Sequence, residues 1–252
     1  MELNLKTLTK TKLLGVNIPR RFAWKLLNQI LFKIDAHIMF FSEKHRKKII
    51  NVVHKVINES KKDNIEGGTI QLHEGYNLIS CLNSVIDLPG DIVEIGVFKG
   101  SSAKMICEFK KDKHLHLFDT FEGLPEIIEI DNNNYTRDEE KYYKGQYACS
   151  LKYVKKYLKK YKKVHFYKGL FPQTGGPIKD KKFCFVNMDL DIYQSTHDAL
   201  EFIYPKVVKG GIIICHDYVQ AYGVRKAMNE FFKNKPENVI ELVGLHGIVV
   251  KL

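Results

Sequence analysis

The chain has 252 residues, 44% of them hydrophobic and 27% charged, which suits a large globular domain with an appendage and excludes the disordered class. Its formal charge of +11 would ordinarily suggest nucleic acid, but residues 1–62 carry +10 of it and the remaining 190 only +1. The main body therefore offers no basic track for a polyanion, and no nucleic-acid partner is expected.

Two basic amphipathic helices are predicted over 21–60, the first RRFAWKLLNQILFKI and the second opening at Ser42 as its N-cap. They read as a cover or homodimer contact with lysines facing solvent, or as peripheral contact with an acidic membrane through residues 1–62. The apolar run over 26–41 is interrupted by Lys33 and Asp35 and is too short to span a bilayer. No sustained apolar h-region marks a signal peptide, and five scattered cysteines without C-x-x-C spacing suit a reducing, cytoplasmic setting. A polar linker over 61–68 separates this arm, 1–68, from the main domain, 69–252.

Beyond the linker, helical patterns at 74–88, 101–110, 149–162, 194–204 and 222–234 alternate with apolar runs of strand length. The strands are DIVEIGV (91–97), LHLFD (115–119), VHFYKG (164–169), FCFVNMD (183–189) and GIIICHD (211–217), with two more closing the chain. Continuous Val/Ile/Phe runs suit strands covered on both faces, so the fold class is α/β with a doubly wound, mainly parallel sheet. Ser195 is a candidate N-cap for the helix at 194–204. The polar, aromatic stretch 120–148 is too long for a simple connection and reads as a lid; Tyr135, Tyr142, Tyr143 and Tyr147 could stack on sugar rings.

In such a sheet the ligand crevice lies beyond the carboxyl ends of the strands. The first tip, EIGVFKGSS, gives a glycine turn at Gly96 and Gly100, then Ser101 and Ser102 opening a helix whose free N–H groups favour an anion. Its G-x-x-x-G spacing departs from the dinucleotide G-x-G-x-x-G. Asp119 ends the second strand, where a carboxylate either holds both hydroxyls of a ribose or caps a turn. At the third tip Gly169 and Phe171 offer a wall for an adenine ring, although Phe171 is equally a core residue. Asp189 and Asp191 end the fourth strand, and His216 and Asp217 the fifth. Crowded carboxylates repel one another and rise in pKa, a difficulty that a divalent cation removes. Oxygen donors suit Mg²⁺ or Mn²⁺, and an imidazole shifts preference toward Mn²⁺, Fe²⁺ or Zn²⁺.

These residues resemble the macrocin O-methyltransferase family, which is S-adenosylmethionine-dependent and methylates sugar hydroxyls. The resemblance spans roughly residues 70–235 and rests on EIGVFKGSSA, FDTFEGLPE, GLFPQT, NMDLDIYQSTHDALEFIYPKVVKGG and the HDY after it. It implies a seven-stranded class I methyltransferase-like Rossmann fold, with Glu94, Gly96, Ser101, Ser102 and Asp119 lining the S-adenosyl-L-methionine pocket. It further implies Asp189 and the pair 216–217 as ligands of a divalent metal, usually magnesium, with Asp191 as general base. The family commonly has Asp-Asp where this chain has His216-Asp217, so His216 is either a ligand or itself the base. The acceptor implied is a small molecule or glycan with vicinal hydroxyls. A rival reading takes Asp189-Leu190-Asp191 as the D-x-D motif of a metal-dependent nucleotide-sugar glycosyltransferase, which the glycine turn and Asp119 fit poorly.

Overall fold

A computed structural model describes residues 44–62, 70–133 and 141–252. The first predicted helix, RRFAWKLLNQILFKI, the Ser42 cap, most of the linker and Tyr135 lie outside the described residues. In chain order the elements are α1 (Lys44–Lys62), α2 (Leu72–Val85), β1 (Asp91–Ile95), α3 (Ser101–Phe109), β2 (Leu115–Asp119), α4 (Leu151–Tyr157) and β3 (Val164–Lys168). There follow β4 (Phe183–Met188), α5 (Tyr193–Ile203), β5 (Val207–Cys215), α6 (Tyr222–Phe232), β6 (Ile240–Glu241) and β7 (Gly247–Val250).

Seven strands form one sheet in the order β3-β2-β1-β4-β5-β7-β6. The first five are parallel, β7 runs antiparallel to β5, and β6 antiparallel to β7, so the sheet is mixed but mainly parallel. Strand alternation divides the core in two. Ile92, Leu115, Leu117, Phe185 and Ile214 pack with Ile79 and Leu82 of α2 and Met105 and Ile106 of α3. Val93, Ile95, Phe118, Val186, Met188 and Ile213 pack with Leu200 and Ile203 of α5 and Val224 and Met228 of α6. With both faces covered, polar alternation has no place, and each such buried side chain contributes roughly 1.5–3 kcal/mol.

Helix α1, assigned on sequence to the arm, buries Ile49, Val53 and Val56 in the first of these cores. Gly75 lets it close on α2, because a Cβ there would meet Val53 Cγ1 at 2.6 Å. The compact unit of the fold accordingly runs Lys47–Leu252. Among the described residues no helix is long and apolar enough to cross a membrane.

Two local expectations need correction. Helix α4 ends at Tyr157 instead of running to 162, since LKYVKKYLKKYK stacks like charges three and four apart. Ser195 does not cap α5: Ile192 holds the N-cap position, Ser195 is buried in the first turn, and the Tyr193 N–H donates to Asp131 Oδ1 at 2.7 Å. That buried aspartate, whose Oδ2 accepts from the Ile128 N–H at 3.1 Å, ties the 120–133 segment to the start of α5.

Candidate active site

The switch in strand order falls between β1 and β4, and a cavity of about 360 Å³ opens there at the carboxyl ends of the parallel strands. Of the twelve residues proposed from sequence, Gly96, Asp119, Gly169, Phe171, Asp189, Asp191, His216 and Asp217 line it. Glu94, Gly100, Ser101 and Ser102 do not. Glu94 is fully buried beneath the turn, its Oε1 accepting from Ser102 Oγ and from Asn187 Nδ2, the latter at 3.0 Å. It ties β1 to α3 and β4, and burial pushes its carboxyl up to about 8. Ser101 Oγ turns to Ser60 Oγ on α1 at 2.9 Å, and Gly100 takes the left-handed conformation (φ +86) that caps α3 against Val154. These four build the turn from behind and leave the wall to Gly96, Val97 and Phe98.

Asp119 is both turn cap and wall. Its Oδ2 accepts from the N–H groups of Val97 and Phe98 at 2.7 and 2.9 Å, and its Oδ1 from Phe121 N–H at 2.6 Å. A carboxylate has about four acceptor positions. Three are filled by the chain's own backbone, which leaves room for one hydroxyl and not the pair expected. Phe171 is core and wall together: it meets Phe118 and Phe202 edge-on at ring distances of 4.9 and 5.1 Å while facing the cavity.

At the tips of β4 and β5, His216 Nδ1 lies 3.2 Å from Asp189 Oδ1 and 3.0 Å from Asp217 Oδ1. Neither contact is aligned as a hydrogen bond, and Nδ1 is buried without a partner among the described residues. Donor atoms of all three residues lie within 4.8 Å of one another. Cis ligands at 2.1 Å on one octahedral ion stand about 3 Å apart, so the spacing of imidazole nitrogen and carboxylate oxygens suits a shared cation. Asp191 stands outside that trio, beside Asp217. Burial and the neighbouring carboxylates push Asp191 well above the usual carboxylate range. Asp217 is held low despite burial, by His216, Gln220 and Asp191. Burial opposes charge on His216, but Asp189, Asp217 and Glu74 outweigh it and raise its pKa well above the ordinary imidazole value. Asp191 and Asp217 also take left-handed backbone conformations (φ +63 and +61), strained for non-glycine residues and of a kind concentrated at functional sites.

Sequence reasoning missed Glu74, Gln71, Gln220 and Leu245 on the cavity wall. Glu74 alone had a readable signal: it stands three residues after Gln71, whose N–H donates to Glu74 Oε2 at 2.8 Å, the spacing of a capping box. Tyr142 and Tyr147 do reach the wall, together with Leu124, Pro125 and Gln146, while Tyr143 is 63% exposed.

Sheet order and strand-tip cavity together define an α/β protein of the methyltransferase fold. The chain belongs to the macrocin-O-methyltransferase (TylF) family, whose model matches residues 46–245. It is 28% identical over 169 residues to demethyldecarbamoylnovobiocin O-methyltransferase of Streptomyces niveus, covering 62% of this chain and 63% of that protein. Identity is 30% over 154 residues to the 8-demethyl-8-(2,3-dimethoxy-alpha-L-rhamnosyl)-tetracenomycin-C 4'-O-methyltransferase of Streptomyces olivaceus, 56% of this chain and 59% of that one. The chain thus spans just under two thirds of these curated relatives. Among solved structures, the O-methyltransferase NovP superposes with a TM-score of 0.66 at 21% identity, over 82% of this chain and 98% of its own. The calicheamicin methyltransferase CalS11 gives 0.60 at 20% identity, over 84% and 94%. At such identity these two speak for the fold.

Proposed function

We propose that this chain is an S-adenosylmethionine-dependent O-methyltransferase that alkylates a hydroxyl of a sugar in a glycoside, natural product or glycan, assisted by a divalent cation. The observation that carries the reading is the meeting of a glycine turn, a ribose-competent aspartate and a three-donor cluster in one cavity. Family membership supports it, and so does the action of both curated relatives as O-methyltransferases, one on a rhamnosyl-tetracenomycin. The D-x-D alternative is disfavoured, because the donor that joins Asp189 is not Asp191 but His216 with Asp217.

Asp119 would hold one ribose hydroxyl with its remaining lone pair, and Phe171 would flank the adenine. Asp189, His216 and Asp217 would hold the cation, which would offset the local negative charge and acidify an acceptor hydroxyl. Asp191, with its raised proton affinity, would take the hydroxyl proton as the oxygen attacks the sulfonium methyl group. S-adenosylmethionine, when bound, would supply the methyl group, with the C–S bond breaking as the C–O bond forms and S-adenosylhomocysteine as the by-product. Leu124, Pro125 and Tyr142 enclose the reacting groups and exclude water. Five free cysteines support an intracellular setting.

The test is a thermal-shift titration followed by turnover on a panel of rhamnosides. S-adenosylhomocysteine should raise Tm and a nucleotide-sugar should not; the reverse result rejects the reading.

A further inference from the structure

Glu74 enters the cavity from α2, the helix preceding β1, and its side chain is only 3% exposed. Its two oxygens differ in kind. Oε2 is pinned by the Gln71 N–H at 2.8 Å, whereas Oε1 has no hydrogen-bond partner among the described residues. A buried carboxylate oxygen left in that state costs stability. The nitrogen facing Oε1 from the cluster is His216 Nε2, at 3.7 Å.

On its other edge the same imidazole presents Nδ1 to Asp189 and Asp217 without an aligned hydrogen bond. Cation binding requires the imidazole in its neutral form, with one N–H and one lone pair, so whichever nitrogen donates leaves the other free to coordinate. Ligating histidines characteristically give the second ring N–H to a carboxylate, which fixes both tautomer and ring plane. Here two unpartnered polar atoms, Glu74 Oε1 and His216 Nδ1, flank one ring, and a single tautomer serves both. His246 packs edge-on against that ring at 5.1 Å and limits its swing.

Resting on the divalent-cation reading of Asp189, His216 and Asp217, we infer that Glu74 is a positioning residue: it accepts a hydrogen bond from the Nε2–H of His216 and so makes Nδ1 the coordinating atom. An approach of about 0.8 Å brings the present contact to ordinary hydrogen-bond length. Because Oε2 is held at the N-terminus of α2, the cost of ordering this carboxylate is met by folding, not by ligand capture. An imidazole made more basic in this way favours a first-row transition ion over Mg²⁺.

Glu74→Gln is the probe, since its carbonyl can still accept from the Gln71 N–H while its amide cannot accept from Nε2. Co²⁺ affinity is measured by calorimetry on the full chain for parent, E74Q, H216D and the double variant, with S-adenosylhomocysteine affinity and the Co²⁺ visible spectrum alongside. Loss of about 10–100-fold in Co²⁺ affinity for E74Q is expected, with an altered spectrum and intact cofactor affinity. In the H216D background the same change should cost nothing further. Unchanged Co²⁺ affinity in E74Q overturns the inference, as does an equal loss with and without His216, which would mark a merely structural role. A fall in cofactor affinity alone would also overturn it, placing Glu74 against the cofactor instead. If the parent chain binds no Co²⁺, the underlying cation reading fails first, a result distinct from all of these.

Discussion

The backbone of Gly96 is seated directly against the carbonyl of Asp189: a Cβ at residue 96 would overlap that oxygen. Asp189 N–H in turn donates to Ile95 O at 2.9 Å, so the glycine turn of β1 and the acidic tip of β4 form one rigid unit at the switch point. Residue 96 also has φ +86, where an L side chain costs roughly 1–2 kcal/mol before any clash is counted. Gly96→Ala should therefore lose more than about 3 kcal/mol in urea unfolding and abolish S-adenosylhomocysteine binding. A variant within 1 kcal/mol of the parent (on the scale where ordinary surface changes fall,) would mean that the turn can relax away from β4.

Asp189 and Asp191, two residues apart, should separate on substitution. Asp189 belongs to the convergent donor trio with His216 and Asp217, while Asp191 stands outside it, beside Asp217. Asp189→Asn is expected to cut both divalent-ion affinity and turnover. Asp191→Asn should cut turnover by roughly 10²–10⁴-fold while retaining the ion, the range for loss of a general base. Calorimetry with Mn²⁺ beside a turnover assay checks both, and an active Asp191→Asn enzyme would remove the base from the mechanism.

The fold was legible because strands buried on both faces are mostly apolar without strict alternation, as DIVEI, LHLFD and FCFVNM are, with Glu94, His116 and Asn187 as buried polar exceptions. The tips were legible for a related reason: a carboxylate after such a run needs compensation, and Asp119 meets three backbone N–H groups while Asp189 and Asp217 converge with His216. What sequence could not separate was wall from scaffold. Glu94 and Ser102 sit within eight residues of Gly96 but point behind the turn, a matter of side-chain direction on a buried strand and helix that adjacency does not encode. Glu74 failed for the opposite reason. His216, which faces it, is far along the chain, and only the packing of α2 against β5 brings the two near each other.

Glu94 gives a pH prediction with a definite sign. Burial raises its carboxyl from 4.5 to about 8, so between those values the folded chain keeps a proton that the unfolded chain has released. Stability from this group is undiminished below pH 4.5 and falls as pH rises toward 8. Glu94→Gln keeps an acceptor for Ser102 and Asn187 and removes the titration. The variant should match the parent near pH 5 and exceed it in stability near pH 8, by on the order of a few kcal/mol. Denaturant unfolding at the two pH values decides it; a constant difference between the proteins would show that Glu94 is ionised in the folded state.

Asp119 is asked to do two things at once, and its neutral amide can do only part of either. Three backbone N–H groups converge on its two oxygens. In Asp119→Asn one of those oxygens becomes an NH₂ facing an N–H donor, so at least one charge-assisted hydrogen bond is lost, worth about 1.5–3 kcal/mol. The remaining lone pair, the one proposed for a ribose hydroxyl, weakens along with it. Stability should therefore drop by about 2–4 kcal/mol, and S-adenosylhomocysteine affinity by more than about tenfold, measured at a temperature where the variant is fully folded. Adenosine, which carries the ribose without the methionine arm, should lose affinity in proportion. If the folded variant binds adenosine as tightly as the parent, Asp119 serves the turn alone and the ribose must be held elsewhere on the wall.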